Sequence, residues 1–161
     1  MCGFTGFVDF NGNSTTKFLE DMTECLSHRG PDDAGVEILD WSRVQIGLGH
    51  RRLSIIDSSR EGHQPMHFKN WSIVFNGEIY NYKEIRKSLE KEGYSTDLNS
   101  DTAVILMSFD RWGVKAVERF IGMFAFTIVD RETNKVFIFR DRAGVKPVFY
   151  YWKNELLLFS S

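Results

Sequence analysis

Three runs near the C-terminus, GMFAFTIVD (122–130), KVFIFRD (135–141) and PVFYYWKN (147–154), are separated only by RETN and RAGVK and continue into ELLLFS. β-branched and aromatic residues at this density, punctuated this closely, predict a strand meander. The opening stretch has the same character. Residues 2–10 mix Phe4, Phe7, Val8 and Phe10 with Gly3 and Gly6, which predicts a buried first strand with close backbone approaches at the glycines. Segments 34–40 and 44–49 alternate on either side of DWS and predict an antiparallel hairpin, and WSIVFNG (71–77) reads as a buried strand ending in a turn. The fourteen Phe residues suit β-rich packing.

Helical periodicity interrupts the strands. From Thr15 to Ser27 the residues Phe18, Leu19, Met22, Cys25 and Leu26 form an amphipathic stripe with Ser14 or Thr15 as cap, which places Cys25 in the core. NYKEIRKSLEKEG (81–93) carries Tyr82, Ile85 and Leu89 on one face and Gly93 at its end. SDTAVILMSFDRWG offers Ser100 as N-cap, Asp101 in the first turn and Gly113 near the end. The order is sheet, helix pair, sheet. It predicts two antiparallel sheets facing each other with helices on their outer faces, an α+β sandwich. At 161 residues one domain spanning 1–161 is expected.

Several function classes are disfavoured. The formal charge is −2, from 20 basic and 22 acidic residues, and no run of Lys and Arg forms a nucleic-acid or polybasic membrane patch. Cys2 and Cys25 form neither a disulfide framework nor a zinc pattern, which suits a reducing, cytoplasmic setting. There is no signal-peptide pattern and no apolar stretch long enough for a span. His63 and His67 are four apart, but Pro65 lies between them and argues against a helical metal pair, so no metal site is expected. A GxxxxGK phosphate loop is also missing.

The candidate chemistry starts at the terminus. Met1 is removed by methionine aminopeptidase when the second residue is small, as Cys2 is, and the mature chain then carries a thiol and an α-amine on one residue. With unperturbed pKa values of about 8.5 and about 7.7–8.0, these are a nucleophile and its own general base. The interior stretch VFNGEIYN ends in Asn76-Gly77-Glu78, which is either an ordinary turn or an amide and an unobstructed N–H placed as an oxyanion hole. Glu78 reads equally as a solvated acid. GHRRLSIID supplies Arg52, whose guanidinium fork can take a carboxylate if it, rather than Arg51, points inward. Asp101 complements the helix dipole or receives an ammonium group. Arg29 in HRGPDD reads as a loop anchor.

Taken in order, MCGFTGFV, HRGPDDAG, GHRRLSIID, GHQPM, FNGEIYNY, SDTAVIL, GMFAF and RDRAGVKPVFYY resemble the glutaminase domain of the class II glutamine amidotransferases across nearly the whole chain. The wording of RGPD, RLSIID and NGEIYN is most similar to the asparagine synthetase branch. The resemblance implies the N-terminal-nucleophile hydrolase fold, a four-layer αββα sandwich. It implies Cys2 as nucleophile, with Asn76 and the Gly77 N–H as oxyanion donors. Arg52 would hold the glutamine α-carboxylate. Asp101, with Glu78 and backbone around Gly77, would take the α-ammonium, and Leu53, Ser54, Ile55 and Ile56 would line the pocket.

The implied activity is hydrolysis of L-glutamine to glutamate and ammonia through a Cys2 thioester, with no metal or organic cofactor. The ammonia would go to a synthetase domain or partner subunit, for asparagine synthesis from aspartate and ATP or for amidation of a sugar or another carboxylate. Asparagine synthetases continue into an ATP- and Mg-using domain, whereas this chain stops at LLLFSS, so a domain fragment is expected. A homodimer stays open. The alternatives are a glutamine-binding regulatory module without turnover and a hydrolase acting on another amide; Arg52 and Asp101 together favour a free amino acid.

Overall fold

The computed structural model describes residues 2–53, 62–95 and 100–161. Among them β1 (Gly3–Asp9) is followed by α1 (Thr16–Glu24), β2 (Asp33–Trp41), β3 (Val44–Arg52), β4 (Met66–Phe68) and β5 (Trp71–Ile79). Next come α2 (Tyr82–Lys91), α3 (Asp101–Trp112), a short 3-10 helix (Gly113–Arg119), β6 (Gly122–Asp130), β7 (Lys135–Arg140), β8 (Phe149–Lys153) and β9 (Leu156–Ser160). Both sheets are antiparallel, ordered β2-β3-β1-β9-β8 and β4-β5-β6-β7.

All seven residues of β1 are buried because both of its faces are covered. Phe4 and Val8 face the second sheet and pack with Ile46, Leu48, Val74, Ala125, Val129 and Phe159. Phe7 points the other way, against Phe18 of α1. Beneath the second sheet, Ile73, Phe75, Phe126 and Ile128 meet Ile85 and Leu89 of α2 and Val104, Ile105 and Phe109 of α3. The layers are therefore α1, sheet, sheet, and α2 with α3, the expected four-layer α+β sandwich.

The helix caps follow the sequence. Thr15 Oγ1 accepts from Phe18 N at 3.2 Å and Ser100 Oγ from Ala103 N at 3.2 Å. Gly93 and Gly113 stand at the helix ends with φ of +88° and +59°. Cys25 departs from expectation: it is exposed. It caps α1 and still bonds four residues back, Cys25 N to Asp21 O at 3.2 Å, so the helical period reaches it but sets it on the face of Phe18 and Asp21, both exposed, rather than on the inner face. The inward position one turn after Leu19 belongs to Thr23, whose hydroxyl donates to Leu19 O at 2.7 Å.

The expected C-terminal meander is also divided. β6 and β7 pair in one sheet, β8 and β9 in the other, and RAGVK carries the chain across. Asp141 makes the crossing. Its carboxylate accepts from Phe124 N (3.1 Å), Val145 N (2.8 Å) and Lys146 N (2.9 Å), folding the linker back onto β6. Burial alone would raise the Asp141 pKa, but these N–H groups outweigh it and hold the carboxyl below 3.8.

The stability linked to the Asp141 charge is present above the unfolded value of 3.8 and is lost as pH falls through the lower folded value. Asp141→Asn should therefore cost about 1–3 kcal/mol in urea unfolding at neutral pH. The deficit relative to wild type should shrink in the same measurement at acid pH, below 3.8. A deficit that is equal at both pH values would show that shape, not charge, secures the crossing.

Candidate active site

Strand alternation assembles the site at one end of the inter-sheet space. Gly3 pairs with Arg51 and Phe4 with His50, so the start of β1 lies beside the end of β3. Arg51 turns toward α1, where its Nη2 lies 3.4 Å from Glu24 Oε2. Arg52, next along the strand, turns to the opposite face. Its guanidinium lies so close to Gly62 that a Cβ there would stand 2.4 Å from Nη2. One of the two arginines was expected to point inward, and it is Arg52.

Cys2 lies just before β1, half-buried. Its Sγ accepts from Leu53 N at 3.4 Å and lies 3.9 Å from Leu53 O, so one peptide at the end of β3 fixes the thiol. Ser54, Ile55 and Ile56, the other expected pocket residues on this segment, lie outside the described residues.

Asn76 and Gly77 do not form the expected turn. They lie within β5, which runs on to Ile79 paired with Gly122 of β6. Gly77 makes this continuation sterically possible: a Cβ there would lie 2.3 Å from Met123 O and 2.6 Å from Phe124 Cα, so only glycine lets β5 and β6 approach. Asn76 faces the inter-sheet space and is 2% exposed. With its amide nitrogen 3.1 Å from Cys2 O and its oxygen 3.1 Å from Arg29 Nη2, both ends are satisfied, and this orientation is assigned from those partners. The nitrogen carries two hydrogens, so one remains for a ligand.

Arg29 is thus more than a loop anchor. Its guanidinium joins Asn76 to Ser161 O. Ser161 in turn is held on β1 by Phe4 N to its Oγ (3.1 Å) and by its own N to Phe4 O (2.9 Å).

The outer edge of β5 shows what each backbone group does. Even-numbered residues bond toward β6, as Tyr80 N does to Ile121 O at 2.8 Å, and odd-numbered ones face away. β4 covers this edge only as far as Ile73. At Phe75 the N–H donates to Gln64 Oε1 (2.6 Å) and the carbonyl accepts from His50 Nε2 (3.1 Å). At Ile79 the N–H donates to Asp101 Oδ2 (3.1 Å). Between them, among the described residues, none takes the Gly77 N–H. It is an open donor beside the Asn76 amide.

Asp101 occupies the first turn of α3, as expected, and its Oδ1 accepts from Thr102 N at 2.8 Å. Burial raises its pKa above 3.8; the Ile79 and Thr102 N–H groups oppose the rise, and the Glu78 charge adds to it. Glu78 itself is exposed. Two carboxylates thus stand next to the open Gly77 donor. The two histidines four apart are engaged separately: His63 Nδ1 lies 2.8 Å from Asp33 Oδ2, and His67 Nδ1 lies 2.9 Å from Ser72 Oγ.

Sequence reading did not single out His50, Gln64 or Ser161. For His50 a signal existed in its spacing, since it shares the strand face of Arg52, two residues on. Gln64 and Ser161 had none, because their partners are distant backbone groups.

Comparison with known proteins gives the family of the chain. A family model described as a glutamine amidotransferase domain matches residues 1–161. Asparagine synthetase [glutamine-hydrolyzing] 3 of Bacillus subtilis is 40% identical over all of this chain, and asparagine synthetase [glutamine-hydrolyzing] 1 of the same organism is 36% identical. Amidase chry2 of Gibberella zeae is 33% identical over 98% of the chain. The chain spans about a quarter of the length of these relatives, 26% for the first two and 25% for the third. Among solved structures, glutamine phosphoribosylpyrophosphate amidotransferase from B. subtilis superimposes with a TM-score of 0.77, covering 98% of this chain and 41% of its own, at 17% identity, a likeness of fold. With the family model matched from end to end, the chain belongs to the glutamine amidotransferase domain family.

Proposed function

We propose that this domain hydrolyses L-glutamine to glutamate and ammonia, with Cys2 as nucleophile. The observation that carries the reading is the open Gly77 N–H beside the Asn76 amide, at the end of the sandwich where Cys2 directly precedes β1. Once Met1 is removed, the Cys2 amine takes the thiol proton as sulfur attacks the side-chain amide carbon. The carbonyl oxygen becomes an oxyanion, met by Asn76 and Gly77. The amine returns the proton to the departing nitrogen and ammonia leaves. Water then cleaves the thioester, restoring the thiol and releasing glutamate.

Arg52 would hold the substrate α-carboxylate with a planar two-point grip. Asp101 and Glu78 would receive the α-ammonium. The ammonia would pass to a synthetase domain or partner subunit, which would use ATP and Mg to amidate aspartate. That acceptor is supported by the asparagine synthetase relatives, 40% and 36% identical over the whole chain.

The oxyanion assignment is tested on processed protein by glutamate release without ATP. Asn76→Ala should lower kcat by about two to three orders of magnitude with KM changed less than about tenfold. If KM rises while kcat stands, Asn76 binds substrate and the oxyanion reading fails. A preparation shown by intact mass to retain Met1, yet hydrolysing glutamine at the normal rate, would remove the terminal amine from the mechanism.

Recognition is tested through charge. Arg52→Lys should raise KM by about tenfold or more, because one ammonium cannot replace two parallel N–H groups. Asp101 must be ionised to pair with the ammonium, so KM for glutamine should rise as pH falls through its raised pKa, by up to about tenfold per unit below it. Asp101→Asn should have a high KM with this dependence removed; a variant with the wild-type KM profile would place the ammonium elsewhere. For the acceptor, a full-length protein carrying this domain should form asparagine from aspartate, ATP and glutamine, and glutamine-dependent amidation of a different substrate would reassign it.

A further inference from the structure

The Phe75 peptide is held by two side chains from other parts of the fold. His50 lies on β3, 1% exposed, and reaches across the inter-sheet space to the Phe75 carbonyl; Gln64 precedes β4 and takes the N–H of the same residue. We propose that His50 and Gln64 are positioning residues for glutamine hydrolysis, a two-point clamp that sets Asn76 and the Gly77 N–H at the correct height relative to Cys2. This rests on the hydrolytic reading above.

The clamp does something a longer β4 could not. Continuing the β4 ladder past Ile73 would satisfy Phe75, but two residues further it would consume the Gly77 N–H as well. Side-chain partners end the pairing one step before the donor the reaction needs. They also tie two strands together at the same level. β3 carries His50, Arg52 and, just beyond its end, the Leu53 peptide that holds the thiol; β5 carries Phe75, Asn76 and Gly77. A single cross-link between His50 and Phe75 therefore fixes nucleophile, carboxylate fork and oxyanion donors in one frame. Oxyanion donors act at about 2.7–3.1 Å, and a misplacement of about 1 Å can cost about a hundredfold in rate.

Burial pushes the His50 pKa down to about 4, so the ring is neutral when the enzyme works. Because a carbonyl only accepts, Nε2 carries the proton. His50→Met removes that donor at similar volume, and His50→Gln puts an amide N–H near the Nε2 position, which the shorter Asn does not reach.

The test uses processed protein and three readouts: kcat and KM for glutamate release, and the rate of Cys2 alkylation by iodoacetamide, which passes through no oxyanion. His50→Met and Gln64→Leu should each lower kcat by about ten- to a hundredfold, with KM within about threefold and alkylation within about twofold of wild type. His50→Gln should restore kcat to within about fivefold. A His50→Met protein with kcat within twofold of wild type overturns the clamp, and so does a parallel fall of kcat and alkylation, the pattern of general disorder. Should His50→Met fail to fold, Gln64→Leu and the His50→Gln, His50→Asn pair decide, since glutamine must exceed asparagine in kcat by about fivefold or more. Wild-type turnover is measured first: its absence overturns the hydrolytic reading and this proposal with it, whereas normal wild-type turnover with insensitive variants overturns the clamp alone.

Discussion

The site depends on how the outer edge of β5 is shared out. A strand edge presents a row of backbone donors and acceptors, and each one that is buried must find a partner. Here β4 satisfies the first part, Gln64 and His50 satisfy Phe75, and Asp101 satisfies Ile79. Among the described residues, none takes the Gly77 N–H on this edge. An oxyanion donor needs to be rigid and free to bond during reaction, and an N–H held in a paired strand without a partner of its own among the described residues meets both conditions.

The two sheets meet this requirement from opposite sides. Phe4, Val74, Ala125 and Phe159 hold them together through apolar packing, which is strong but non-directional. Direction comes from the polar groups at one end. His50 joins β3 to β5, and Arg29 joins the Asn76 amide to Ser161, which is bonded to β1. An unpaired Asn76 amide could rotate; with its oxygen on Arg29, the nitrogen faces the Cys2 carbonyl. Packing brings the sheets into contact, and these hydrogen bonds decide which atoms face each other.

Sequence reading recovered what periodicity and caps encode. The hairpin, the Ser100 cap, the Ser14 or Thr15 cap and the layer order follow from local pattern; that one of Arg51 and Arg52 points inward was legible, and which one was not. It failed where tertiary partners decide. WSIVFNG was expected to end in a turn because Asn-Gly is a strong turn signal, but a buried strand opposite Gly122 and Phe124 needs glycine for another reason, the close approach of two backbones. The meander was expected because nothing in RAGVK shows that Asp141 will send the chain to the other sheet. Cys25 was placed on one stripe with Phe18 and Leu19, whereas the inner face of α1 runs through Leu19 and Thr23 and leaves Phe18 and Cys25 exposed. The Cys2, Asn76, Arg52 and Asp101 set was legible individually as chemistry-bearing residue types and became a site through resemblance to a family. The connections among them, through Arg29, His50 and Gln64, are long-range side-chain contacts for which a single sequence carries no periodic signal.

Asp101 shows how such a site can be selective at a modest cost in stability. Half-buried near Glu78, it is held with two backbone N–H groups and a raised pKa, so its charge is poorly compensated in the free protein. On the proposed reading, a free amino acid would bring an ammonium that relieves this repulsion, while its carboxylate would meet Arg52. A glutamine whose α-amine is in a peptide bond has no ammonium and would leave Asp101 without that offset to its desolvation, a penalty of about 1–3 kcal/mol or more. On that reading, selectivity for a free α-amine would arise less from the attraction the pocket offers than from the poorly compensated Asp101 charge that any other substrate would leave behind. The Gly77 N–H would follow the same logic on the reaction coordinate: its bond to the substrate oxygen would strengthen as negative charge develops there, so its contribution would fall more on the transition state than on binding.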